Sequence, residues 1–111
     1  MRITAFATAL LLGALGAQAF AATHQYARTA RAGKISAYMY KTSQAYCNPV
    51  KGVTAIKITN NTAVEVLKTK LVSCGHAHVT LVKANVVEGA HAGEHGYFVQ
   101  ADLKAAPDLA H

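Results

Sequence analysis

The sequence predicts an all-β domain, a small barrel or sandwich of short strands, and three observations carry that expectation. Beyond Ile35 the apolar residues alternate in short runs rich in β-branched side chains, as in Val53-Thr-Ala-Ile-Lys-Ile-Thr59, which is the period of a half-buried strand. Residues suited to tight turns separate those runs: Asn60-Asn61, and later Gly89, Gly93 and Gly96. No apolar pattern of helical period persists for three turns in the same region.

The chain has 111 residues, with 11 Lys+Arg against 5 Asp+Glu and a net charge of +6, so one domain at most fits. Arg2 is followed by a stretch without Lys, Arg, Asp or Glu up to Ala27, whose centre reads Phe6-Ala-Thr-Ala-Leu-Leu-Leu-Gly-Ala-Leu15. A positive start, an apolar segment of about ten residues and a small-x-small site make residues 1–21 a secretory signal peptide. Two cleavage frames exist, Ala17-Gln18-Ala19 and Ala19-Phe20-Ala21, and neither is followed by Cys, which argues against a lipoprotein anchor. About twenty apolar residues could just span a bilayer uncleaved, but Ala, Gly and Thr dilute this segment, so no stable membrane anchor is expected. The mature protein is then periplasmic or secreted. At roughly 90 residues it is too small for most two-layer α/β enzymes. A domain of that size buries only about 60–65% of its unfolded surface, so a crosslink would help its thin core.

The two cysteines, Cys47 and Cys74, are most simply one disulfide in an oxidising compartment. It would close a loop of about 28 residues and contribute roughly 3–4 kcal/mol in the chain-entropy model. The alternative is a thiol site, but no C-x-x-C is present.

Residues 22–34 hold no large aliphatic side chain and carry Arg28, Arg31 and Lys34, so they are expected to form a short, solvated basic arm. After the Val53–Thr59 strand, Asn60-Asn61 supplies a turn that tolerates the left-handed conformation. Thr62-Ala-Val-Glu-Val-Leu-Lys68 then runs back, and Leu67 directly after Val66 breaks the alternation, which predicts a bulge or bend. Further strands are expected over about Lys70–Cys74, Ala77–Val87 and Gly96–Val99. Asn60-Asn61-Thr62 also matches an N-glycosylation sequon; beside a bacterial-type leader it is turn chemistry.

The stretch Val87-Glu-Gly-Ala-His-Ala-Gly-Glu-His-Gly-Tyr-Phe-Val-Gln-Ala-Asp-Leu103 resembles the end of a bacterial Src-homology-3-like domain (the SH3b type), in which a glycine-bearing hairpin leads into an aromatic strand and then a small residue, Asp or Tyr, and Leu. Gly96-Tyr97-Phe98 and Ala101-Asp102-Leu103 hold those positions. Upstream, Ile56–Leu67 is similar to the family's central hairpin, with Asn61-Thr62 at its turn, and Ala37-Tyr38-Met39-Tyr40 stands where the first strand belongs. The resemblance spans about residues 35–104. It implies a five-stranded, partly open antiparallel SH3-like barrel over 35–106, a tail at 107–111, and a non-catalytic binding module for peptidoglycan, peptides or other proteins.

Two groups of side chains are candidates for a site. Tyr38 and Tyr40 share one strand face, and the resemblance brings Tyr97 near the binding surface; tyrosines in a groove bind extended peptides or sugars through flat apolar contact and a hydroxyl. His76 and His78, two apart on a strand, could approach one ion, with His91 and His95 contributing from the next loop. His91-Ala-Gly-Glu-His95 formally matches a zinc-protease pattern, but that chemistry needs a helix and Gly93 interrupts the match.

The expected function is that of an exported, non-catalytic module that meets a cell-wall polymer, a peptide or an envelope protein through Tyr38, Tyr40, Tyr97 and neighbouring lysines. Export argues against nucleic acid as partner, and the basic balance favours an anionic one. No cofactor is expected. The alternatives are a periplasmic metal-binding protein taking Zn²⁺ or Cu²⁺ on the four histidines, and a secreted inhibitor or immunity-type protein.

Overall fold

A computed structural model describes residues 25–109; the expected signal peptide lies outside the described residues. The chain is all-β. Its strands are β1 (Gln25–Thr29), β2 (Ser36–Tyr40), β3 (Ala55–Thr59), β4 (Ala63–Cys74), β5 (Ala77–Val86), β6 (His95–Val99) and β7 (Leu103–Ala105), with single 3₁₀ turns η1 (Gln44–Tyr46), η2 (Gln100–Asp102) and η3 (Pro107–Leu109). They form one antiparallel sheet in the order β3-β2-β6-β5-β4-β1-β7. No helix among the described residues is long and apolar enough to cross a membrane.

The sheet has seven strands where five were expected. Strands β2 to β7 lie within the expected barrel region, residues 35–106, and β1 lies before it. Residues 25–29 were expected in a solvated arm, yet β1 pairs with β4 on one side and β7 on the other, with Ala27 and Thr29 buried. Its two inward positions carry only these small side chains, and it pairs with β4 from Ala63 to Val66. A second difference is that Lys70–Cys74 is no separate strand. It continues β4, and the expected irregularity is a register shift between Val66 and Lys68 that leaves Leu67 unpaired and exposed.

Alternation sorts the strands into two faces. The inner face holds Ala27, Met39, Ile58, Val64, Val82, Ala84, Val86 and Phe98 in one cluster, with Ile56, Val66 and Leu103 against it. Because Ala27 of β1 and Ile58 of the edge strand β3 share that cluster, the sheet is curled. Thr29 ties the curl at one end. Its hydroxyl donates to the Thr59 carbonyl (2.7 Å) and accepts from the Thr62 N–H (3.0 Å), and its own N–H donates to the Thr62 carbonyl (3.0 Å). The β3–β4 turn therefore closes no hairpin, contrary to expectation: Asn61 takes φ 69°, but the polar groups around it serve β1, and β3 pairs only with β2.

Strands β4 and β5 make the longest hairpin, closed by a two-residue turn at Gly75 and His76 with Gly75 at φ 65°. Its far end is held to the β2–β3 connection by the disulfide between Cys47 and Cys74, whose Cα atoms lie 5.4 Å apart. The Lys70 ammonium adds a hydrogen bond to the Ser43 hydroxyl (3.1 Å) in the same connection.

Candidate functional site

The outer face of the sheet is where the aromatic and basic side chains gather, and strand register decides which of them meet. On β2 the inward positions are Ala37 and Met39, so Tyr38 and Tyr40 point outward together. Lys57 of β3 stands opposite Tyr38, and Tyr97 of β6 opposite Tyr40. Across the next two ladders Tyr97 faces Lys83 and Lys83 faces Lys68. One row therefore runs Tyr40, Tyr97, Lys83, Lys68 across four strands. The expected grouping of Tyr38, Tyr40 and Tyr97 on one face is present.

The rings are ordered by their neighbours. Tyr38 and Tyr40 lie with centroids 6.3 Å apart, Tyr46 of η1 packs edge-on against Tyr40 at 5.4 Å, and the Arg31 guanidinium sits 5.5 Å from the Tyr38 ring centre, within the range of a cation–π contact. Asn60 fixes the segment that presents Arg31. Its side-chain carbonyl accepts from the Arg31 N–H (3.0 Å), and its amide donates to the carbonyls of Arg31 (3.2 Å) and Lys34 (2.6 Å). Burial, with Tyr46 next in effect, pushes the Tyr40 phenol above its ordinary value of 10.0, against the pull of Arg31. Burial likewise raises the Asp102 carboxyl, again opposed by Arg31. Asp102 is thus the acidic group acting on this corner of the face.

Two hollows open on the outer face. A groove of ≈ 400 Å³ is lined by Tyr38 and Tyr40 with Arg31, Lys34, Lys51 and Lys57, and none of its lining residues carries a carboxylate. A cleft of ≈ 320 Å³ lies between Lys41–Gln44 and the hairpin residues Lys70 and Lys83, with His95 and Tyr97. Tyr97 thus shares the face with the other two tyrosines but lines the cleft, not the groove. Sequence reasoning missed Arg31 and Lys34, which it placed in a free arm, and Tyr46, which it gave no role. The signal for the first two was Asn60, whose amide is spent on Arg31 and Lys34.

The histidines are not brought together. His76 is in the hairpin turn, and His78 pairs through Nδ1 with the Ser73 hydroxyl at 2.7 Å. His91 and His95 belong to the other end of β5, where His91 Nδ1 meets the Glu94 carboxylate at 3.0 Å and His95 stands opposite Asn85. His78 and Asn85 are seven residues apart on β5, which puts about 23 Å between the two pairs. Among the described residues no three His, Cys, Asp or Glu side chains are grouped to hold a metal ion. His91–Glu94 lies in a turn leading into β6, with Gly93 at φ 91°, so the helix that a zinc-protease motif requires is not formed.

Comparison with family models, with curated proteins and with solved structures finds no significant match to this chain.

Proposed function

We propose that this domain is an exported, non-catalytic module that binds an extended anionic partner, a cell-wall polymer or an acidic segment of an envelope protein, along the Tyr38–Tyr40 groove. The observation that carries the proposal is the composition of that groove: four cations and two tyrosines, with no lining carboxylate. Four like charges around one hollow repel each other, and a bound anion relieves that repulsion; the ring faces add contact that does not depend on the partner's sequence. The Tyr38 and Tyr40 rings are fixed by Arg31 and Tyr46 before any partner arrives, so little ordering is left to cost affinity.

The resemblance to bacterial SH3-like domains supports the same function, because such domains are typically binding modules. The metal-binding alternative has no grouping of ligands behind it among the described residues and is not proposed.

Sedimentation with purified peptidoglycan at low and at high salt is the test. The proposal expects retention at low salt that falls as salt screens the lysines. Absence of retention at either salt removes the cell-wall form of the proposal and leaves the acidic protein segment.

A further inference from the structure

We propose that the cleft between Lys41–Gln44 and the β4–β5 hairpin is a second binding site, for a compact oxyanion of the phosphate class held by Lys41, Lys70 and Lys83. Lys70 is paired with Leu81 and Lys83 is two residues further along β5, so the two lysines are diagonal neighbours on one face, about 7–8 Å apart in a regular ladder. Both line the cleft, Lys41 closes it from the β2–β3 connection, and no carboxylate is in its lining. Glu94, next to His95, is engaged by His91.

The cleft is built rather than accidental. Ser43, itself buried, accepts a hydrogen bond from the Lys70 ammonium (3.1 Å), which tethers that exposed side chain to the connection across the cleft. The Cys47–Cys74 bond holds the connection in place from its other end. The Tyr97 side of the cleft adds a phenol beside Lys83.

The donor set selects the ligand. Three lysines and no arginine line the cleft, so it offers point charges rather than the planar fork that clamps carboxylates and phosphates alike. A small tetrahedral anion carrying more than one charge satisfies three such donors at once. This site is separate from the tyrosine groove, whose lysines are Lys51, Lys57 and Lys34, and it stands whether or not that groove binds a polymer.

Calorimetric titration of the disulfide-bonded protein with inorganic phosphate at low ionic strength tests it. One saturable site is expected, with affinity at least about tenfold weaker in the Lys70→Gln/Lys83→Gln variant and unchanged in Lys51→Gln/Lys57→Gln. Lys41→Gln alone, which removes a group from the rim and not from a strand, should also weaken it. A parallel titration with glycerol 3-phosphate separates a free ion from a phosphate ester: equal affinity means that the ester end of a larger molecule is accepted, and binding of inorganic phosphate alone means a free ion. Absence of saturable binding to both ligands overturns the proposal. Wild-type affinity in Lys70→Gln/Lys83→Gln, or equal losses in the two double variants, overturns it too, since either result means that the net charge and not this cleft attracts the anion.

Discussion

Tyr40 and Tyr97 stand directly opposite each other across the β2–β6 pair, yet they line different hollows. The β2–β3 connection parts them: its Tyr46 packs edge-on against Tyr40, while its Thr42, Ser43 and Gln44 line the cleft beside Tyr97. Since one crosslink at Cys47 fixes that connection to the hairpin end, the partition of the outer face depends on a bond outside both hollows.

Loss of that bond should therefore cost both stability and shape. The Cys47→Ser/Cys74→Ser variant is expected to lose about 2–4 kcal/mol, read as a lower midpoint in denaturant, with a steeper slope because the uncrosslinked unfolded chain exposes more surface. A midpoint equal to that of the oxidised wild type would mean that the hairpin end is held by other contacts.

The curl of the sheet is tested at Thr29. Thr29→Val keeps the shape but removes a buried hydroxyl that donates to the Thr59 carbonyl and accepts from the Thr62 N–H; the carbonyl keeps the Thr62 hydroxyl (2.6 Å), and the N–H loses its acceptor. Equilibrium unfolding should show a loss of about 1–3 kcal/mol. A loss well under this range would show that water replaces the hydroxyl and that β1 is held by its ladders alone.

Thr29 also marks where sequence reading stops. Strands β3, β5 and β6 were legible because each carries a large apolar residue on its inner face, such as Ile58, Val82 or Phe98, whereas β2 was expected only through the family resemblance. In β1 the inner positions are Ala27 and Thr29, too small or too polar to stand out, and β7 has three residues. Their pairing comes from long-range partners. The site divides the same way. Tyr38 and Tyr40 two apart announce a shared face, whereas the placement of Tyr97 in a separate cleft depends on a disulfide between residues 27 apart. The histidines misled because four of them within twenty residues look close, while an extended strand holds the two pairs about 23 Å apart.

Gly96 of β6 lies against Met39 and Tyr40 of β2 with no room for a side chain. A Cβ there would meet Met39 Cγ at 2.6 Å and the Tyr40 carbonyl oxygen at 2.7 Å. Met39 can shift, but the carbonyl belongs to the strand. Gly96→Ala should destabilise by about 1–3 kcal/mol, and the double variant with Met39→Ala should not recover it. Recovery in thermal or denaturant melts would place the conflict on the Met39 side chain alone.

Asp102 sets a pH dependence of known sign. Burial holds its native value above the ordinary 3.8, against Arg31, so the folded chain keeps that proton more firmly than the unfolded chain does. Its contribution is greatest below 3.8 and is lost as pH rises through the raised native value. Asp102→Asn removes this slope, so the variant should gain stability relative to wild type across that window. Denaturant midpoints at several pH values check it; a difference that stays constant or shrinks as pH rises contradicts the assignment.

The most direct measurement is the affinity for purified peptidoglycan of the wild type, of Lys51→Gln/Lys57→Gln and of Lys70→Gln/Lys83→Gln, compared at one low salt concentration. If the tyrosine groove is the polymer site, removing Lys51 and Lys57 weakens retention severalfold or more, and removing Lys70 and Lys83, the same number of charges, weakens it much less. Equal weakening by both pairs, or retention that ignores Lys51 and Lys57, contradicts the assignment of the groove.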